Sequence, residues 1–241
     1  MVDRSLAWRG TYNARDLGGL PTVGGPPTRR GAIMRSDSLQ DLEARGWEEV
    51  EAYGVRTVID LRNESEIGAD LAPRPASIET VKVSLDVTEA RDFWEVWGNG
   101  PEFATPLYYG PHLERFPERS AEVLGAIATA RPGGVVFHCQ GGRDRAGQIS
   151  MLVLALAGVE PAAIAADYAL SDERLRPLYL SRGEDDEAPK IAAFLRDRGT
   201  TASELIVDLL AHLDVEATML EAGLEPANVI ALRSRLGAGE C

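Results

Sequence analysis

The 241-residue sequence is poor in lysine, cysteine, histidine and long apolar runs. Lys82 and Lys190 are its lysines, so nearly all positive charge sits on arginine, a pattern read as coding bias before function. The formal net charge of −13 disfavours a broad basic surface and argues against nucleic acid as a partner. An anionic substrate must instead be drawn to a small arginine-lined pocket, against the field of the whole chain. Two cysteines, Cys139 and Cys241, make no disulfide framework, and Cys241 reads as a stray exposed thiol. His112, His138 and His212 are scattered and form no Cys/His cluster, so neither a metal nor a cofactor is expected. No apolar run approaches the roughly 20 residues that span a bilayer. Met1 to Leu6 lacks the apolar stretch of a signal peptide. The expectation is a cytoplasmic protein, or one exported without a recognisable signal peptide.

What is present is an ordinary globular composition, 44% hydrophobic and 26% charged, in a chain long enough for one large α/β domain. The sequence is organised around His138-Cys139-Gln140-Gly141-Gly142-Arg143-Asp144-Arg145-Ala146-Gly147. Val135 to Phe137 before it read as a buried strand, and Ile149 to Ala157 after it as a buried helix stopped by Gly158. A strand, a glycine-containing loop and a helix N-terminus together make an anion site, because loop amides and the positive end of the helix dipole converge there.

Cys139 opens the loop and Arg145 closes it, with five residues between. A loop of that length can wrap a tetrahedral phosphate in N–H groups from Gln140 to Ala146, with Gly141 and Gly142 supplying tight or left-handed torsions. Arg145, and Arg143 beside it, can grip phosphate oxygens through the planar guanidinium fork. The same charges favour a Cys139 thiolate, which is then a nucleophile aimed at phosphorus. The bland alternative is a small buried cysteine in an ordinary strand-to-helix turn.

This stretch resembles the signature loop of the Cys-dependent phosphatases, in the His-Cys-x-x-Gly-Lys-Asp-Arg-Thr-Gly variant of the atypical bacterial tyrosine and dual-specificity enzymes. Asn13 to Gly19, Met34 to Leu39, Val58 to Arg62 and Ala165 to Tyr168 also resemble that family's pattern, so the likeness covers nearly the whole chain. Two departures stand out: Arg143 where Lys is usual, and Ala146 where Thr or Ser is usual. The resemblance implies a protein-tyrosine-phosphatase-like fold and hydrolysis of phosphotyrosine, with phosphoserine, phosphothreonine and phosphoinositides as further substrate classes. It also implies a pair of lid helices over the site, expected at about 171–213.

Two steps of phosphoryl transfer are expected, through a cysteinyl-phosphate that water hydrolyses. Arg145 and the loop amides would stabilise the equatorial oxygens. Leaving-group protonation needs an acid. Asp86, just past a strand, and Asp144, inside the loop, are the two candidates. His138 orients the loop or is simply a satisfied buried histidine. Arg143, Arg62 and Arg35 either widen the positive pocket or serve in structural ion pairs. The partners expected are a phosphorylated protein or phosphoinositide substrate and inorganic phosphate. A rhodanese-like sulfurtransferase also uses a loop cysteine, but needs no arginine at the far end. A phosphate-binding pseudophosphatase is the non-enzymatic alternative, suggested by Ala146.

Along the chain, residues 1–31 are rich in Gly, Pro and turn residues and read as an irregular arm with at most one short hairpin. Strands are expected at 32–35, 55–61, 78–85 and 135–137. Helices are expected at 39–53, 64–71, 115–130 and 149–157, and then at 173–181, 189–198, 202–213 and 225–236 after one started by Pro161. Residues 87–112 read as helix and loop, and Gly183 to Glu187 as an acidic, solvated hinge. The alternation implies an α/β class: a mainly parallel sheet with helices on both faces, in one domain spanning 1–241, with a helical C-terminal third. Asp86 and Cys139 both fall beyond strand carboxyl ends, where such sheets bind ligands.

Overall fold

Short β-branched runs flanked by glycine set the sheet. The computed structural model describes residues 3–237, so Cys241 lies outside the described residues. The strands are β1 (Arg15–Asp16), β2 (Ile33–Ser36), β3 (Val55–Asp60), β4 (Glu79–Lys82) and β5 (Gly134–His138). Their order is β1-β2-β5-β3-β4, with β1 antiparallel and the other pairings parallel. The register places His138 opposite both Ser36 and Asp60. The carboxyl ends of the three central strands therefore stop level, and Asp37, Leu61 and Cys139 leave the sheet along one edge.

Alternate residues of the central strands feed two cores, as a two-residue side-chain period requires. Met34, Val58 and Val136 pack with Trp8, Leu42, Trp47 and Val50 on one face. Ile33, Ile59, Val135 and Phe137 pack on the other face with the bulk of the helices. The first face is covered by α1 (Ala44–Ala52). The second is covered by α4 (Pro117–Thr129), α5 (Asp144–Leu156), α9 (Val215–Glu221) and α10 (Pro226–Leu236). Between them in sequence run α2 (Arg91–Trp97), α3 (Tyr109–Arg115), α6 (Pro161–Arg182), α7 (Ala188–Asp197) and α8 (Ala202–His212). This is the α/β class with a mostly parallel sheet and helices on both faces.

Several local expectations are corrected. The helix expected at 39–53 is a 3-10 turn at Leu39–Asp41 followed by the shorter α1, and that expected at 64–71 is a single turn, Glu64–Glu66. The strand expected at 78–85 is regular only over Glu79–Lys82, beyond which Val83 N–H and Leu85 N–H still donate to Asp60 O and Leu61 O at 3.0 and 3.2 Å. The separate helices expected after Pro161 and at 173–181 are one helix, α6, running through Pro177. Pro177 gives up one backbone hydrogen bond, and Leu175 and Leu178, both buried, keep the helix seated. The arm at 1–31 is more ordered than its composition suggested: it supplies β1 and the buried side chains of Trp8, Asn13, Arg15, Leu17 and Leu20.

Candidate active site

Gly142 is the torsional key of the loop between β5 and α5. Its φ is +67°, and a Cβ there would stand 2.5 Å from the backbone of Ser36 and Asp37. Glycine alone meets both conditions. Gly141 has no positive φ, and its neighbour is the Leu175 side chain; of the two glycines, only Gly142 uses the left-handed region.

The loop's carbonyls are turned outward and caught. Ser38 N–H donates to Gln140 O at 3.0 Å, and Asn13 Nδ2 to Gly141 O at 3.0 Å. Arg35 Nη2 donates to Gly142 O at 2.6 Å and to Arg143 O at 3.1 Å. With the carbonyls held outside, Gly142 N–H points inward and donates to Cys139 Sγ at 3.2 Å. The buried Cys139 thus lies at the head of α5, whose first residue is Asp144.

These catching groups are themselves fixed by a buried cluster. Asp167 on α6 pairs with Arg4 at 2.6 Å, Arg15 at 3.2 Å and Arg35 at 3.1 Å. Burial alone would raise its pKa, but the three guanidiniums outweigh this and hold it well below the usual carboxylate range. Arg15 also binds Asn13 Oδ1 at 2.5 Å, which aims the Asn13 amide at the loop. Asp37 accepts the backbone N–H groups of Tyr12 and Asn13, each at 2.9 Å. Burial pushes Asp37 up to about 6 against those hydrogen bonds.

Arg145, in the first turn of α5, presents its fork to Glu66 at 2.5 and 2.6 Å. Its Nη1 also lies 3.4 Å from Asp86 Oδ2. Glu66 is held by a reciprocal capping box with Asn63, whose N–H it accepts at 2.9 Å. Sequence reasoning missed Glu66, although Asn63-x-x-Glu66 carried the capping signal. Burial raises Asp86 to about 6, Arg145 opposing and Glu66 assisting, and its Oδ1 has no hydrogen-bond partner. Asp144 instead pairs with Arg143 Nε at 3.3 Å.

The remaining expected residues divide between pocket and scaffold. Arg143 lies 3.5 Å from Glu187, so the acidic hinge at 183–187 touches the loop rather than only solvent. Arg62 is turned onto Asp60 in a bidentate pair at 2.9 and 2.8 Å, and Arg35 is committed to Asp167 and the loop carbonyls. His138 is fully buried, with Nε2 3.7 Å from Asp60, and burial lowers it to about 4, so it is neutral at pH 7. Ala146 is fully buried and offers the sulfur no side-chain donor. Gln148 is spent on His112 and Ser120, at 3.1 and 3.0 Å. A cleft of about 500 Å³ runs from Gln140, Gly141, Arg143 and Asp144 past Phe103 to Leu175, Tyr179 and Ile191.

The site is a thiol-centred pocket, with Arg143 and Arg145 beside the cysteine loop, at the carboxyl edge of an α/β sheet. The family model for the tyrosine phosphatase family matches residues 6–237, and the chain belongs to that family. A candidate tyrosine-protein phosphatase of Cupriavidus necator is 30% identical over 175 residues, 70% of this chain and 63% of that protein. A tyrosine-protein phosphatase of Nostoc commune is 33% identical over 142 residues, 58% of this chain and 48% of that protein. The triple specificity protein phosphatase PtpB of Mycobacterium tuberculosis is 26% identical over 230 residues, 78% of this chain and 79% of that protein. The chain thus covers less than two thirds of the first two relatives. Among the described residues, no helix is long and apolar enough to cross a membrane.

Proposed function

We infer that the chain is a Cys-dependent phosphomonoester hydrolase acting on phosphotyrosine. The name of its mycobacterial relative, a triple specificity protein phosphatase, supports a range wider than phosphotyrosine, and phosphoserine, phosphothreonine and phosphoinositides are the further classes we propose. The observation that carries this reading is Cys139 Sγ beneath the Gly142 amide, with Arg145 in the first turn of the following helix.

In the first step Cys139 Sγ bonds to phosphorus as the P–O bond to the leaving group breaks. Asp86 gives its proton to that oxygen. In the second step water attacks phosphorus, Asp86 takes up the water's proton, the S–P bond breaks and inorganic phosphate leaves. Loop amides and the unspent edge of Arg145 bind the equatorial oxygens, while Glu66 fixes the other edge. Asp86 is favoured over Asp144 as the acid because it holds its proton to about 6 and keeps Oδ1 unengaged, whereas Asp144 is tied to Arg143. Residues 171–213 act as a lid, since α6 and α7 supply the cleft wall at Leu175, Tyr179 and Ile191.

Turnover of p-nitrophenyl phosphate tests the reading. Activity should vanish in Cys139→Ser, and iodoacetate should inactivate the wild type in a single hit, with phosphate protecting. Unchanged turnover in Cys139→Ser overturns the mechanism.

A further inference from the structure

The end of the sheet opposite Cys139 gathers arginines that, among the described residues, have no carboxylate within 4.0 Å. Arg29, Arg30 and Arg235 line a cleft of about 570 Å³, together with Gly31, Gly54, Gly133 and Gly134. The Arg56 side chain lies against Gly133, and Arg131 stands just before it in the chain. Most arginines of this protein reach a carboxylate within 4.0 Å, from Arg4 on Asp167 to Arg233 on Glu216. Among the described residues these five do not.

Backbone carbonyls hold them instead. Arg29 Nη2 donates to Ser234 O at 2.9 Å, and Arg235 Nη1 to Gly133 O at 3.1 Å. Arg131 Nε donates to Arg56 O at 3.0 Å, Arg56 Nη1 to Val55 O at 2.7 Å, and Arg30 Nη2 to Asp3 O at 2.7 Å. Part of this is capping of helix C-termini, which accounts for one edge of each fork. A carbonyl dipole aims a guanidinium without cancelling its charge. Nε and Nη1 of Arg29 and Arg30 donate to no described group. Burial and the neighbouring charge of Arg29 push Arg235 below its ordinary range, a repulsion that a bound anion would relieve. Part of the wall between the arginines is bare backbone: Gly31 and Gly54 have positive φ and open space where a Cβ would stand.

We propose that this cleft is a second anion site, for a small molecule carrying two or more phosphate groups, separate from the Cys139 loop. Three guanidiniums around one opening can neutralise more than a single phosphate, and the volume falls in the range of roughly 300–1,000 Å³ usual for small-ligand sites. With the chain at −13, such an anion is repelled by most of the surface and focused where guanidiniums gather without a carboxylate within 4.0 Å among the described residues.

The test is a titration of the full-length Cys139→Ser protein with inorganic triphosphate, followed through glycine amide resonances. That protein is full-length and so includes Glu240 and the C-terminal carboxylate, which lie outside the described residues. Gly31, Gly54, Gly133 and Gly134 should shift on a saturable curve of their own, distinct from that of Gly141, Gly142 and Gly147 at the loop. In Arg29→Gln/Arg30→Gln the dissociation constant at the first set should rise at least tenfold, with the loop's unchanged. Resonances of the first set that stay still while the loop saturates overturn the proposal, as does a folded double variant with undiminished binding. Should the double variant fail to fold, the Cys139→Ser titration alone decides.

Discussion

Replacing Asp86 by asparagine should stabilise the protein in proportion to pH while disabling it. Asp86 is 8% exposed, one of its oxygens has no partner, and burial raises its pKa from 3.8 to about 6. The sign follows from linkage. The folded carboxyl holds its proton more tightly than the unfolded one, so wild-type stability declines as pH climbs from about 4 to about 6, then levels. At about 1.4 kcal/mol for each pH unit, that interval amounts to up to about 3 kcal/mol. The asparagine amide cannot ionise, so the variant lacks the descent. Urea unfolding of both proteins at several values between pH 4 and 7 should show the variant gaining about 2–3 kcal/mol on the wild type across the range. Any fixed cost of burying the amide moves one curve against the other without changing their divergence. Asp37, His112 and His138 titrate in both proteins and cancel in the difference. The same variant should lose about 10²–10⁴ in turnover of phosphotyrosine and much less with p-nitrophenyl phosphate, whose leaving group needs little protonation. Parallel stability curves would refute the burial argument, and equal losses on both substrates would refute the acid assignment.

Three further substitutions probe the scaffold around the loop. Glu66→Gln removes a like charge that holds Asp86 up, so the alkaline limb of the turnover profile should move to lower pH; an unmoved limb would show that Glu66 acts only by position. Gly142→Ala meets both a left-handed torsion and backbone at 2.5 Å, so melting should reveal a loss of at least about 2 kcal/mol, with turnover nearly abolished. Asp167→Asn leaves Arg4, Arg15 and Arg35 buried without their counter-charge, and calorimetry should register a loss of about 3–5 kcal/mol.

The stretch from Val135 to Leu156 was legible because its signals are local: a buried apolar run, a fixed Cys-to-Arg spacing and an apolar helix. The four parallel strands were legible for the same reason, while β1, two residues long, carried too short a pattern to be read as a strand. α9 escaped notice, its Val215–Glu221 segment being a short turn of helix wedged between longer ones. α6 was read as two helices, one started by Pro161 and one at 173–181, because the buried polar residues Asp167 and Ser171 interrupt its apolar stripe. Glu66 and Asn13 were missed as site residues for a common reason. Each lies far from Arg145 or Gly141 in sequence, and only the level strand ends bring them together. Arg62 and Arg35 were read with two meanings, and composition could not say that Asp60 and Asp167 occupy them.

The outward-held carbonyls have a consequence for the order in which the chain becomes competent. The contacts that set the loop's torsions close over long intervals: 128 residues from Asn13 to Gly141, 107 from Arg35 to Gly142 and 132 from Arg35 to Asp167. Loops of that size carry a closure entropy that only a nearly complete chain offsets. A nascent chain halted before Asp167 already contains Cys139 and Arg145, yet has nothing to draw Arg4, Arg15 and Arg35 into the interior. The loop geometry on which the proposed chemistry depends is thereby set only by a chain that includes α6.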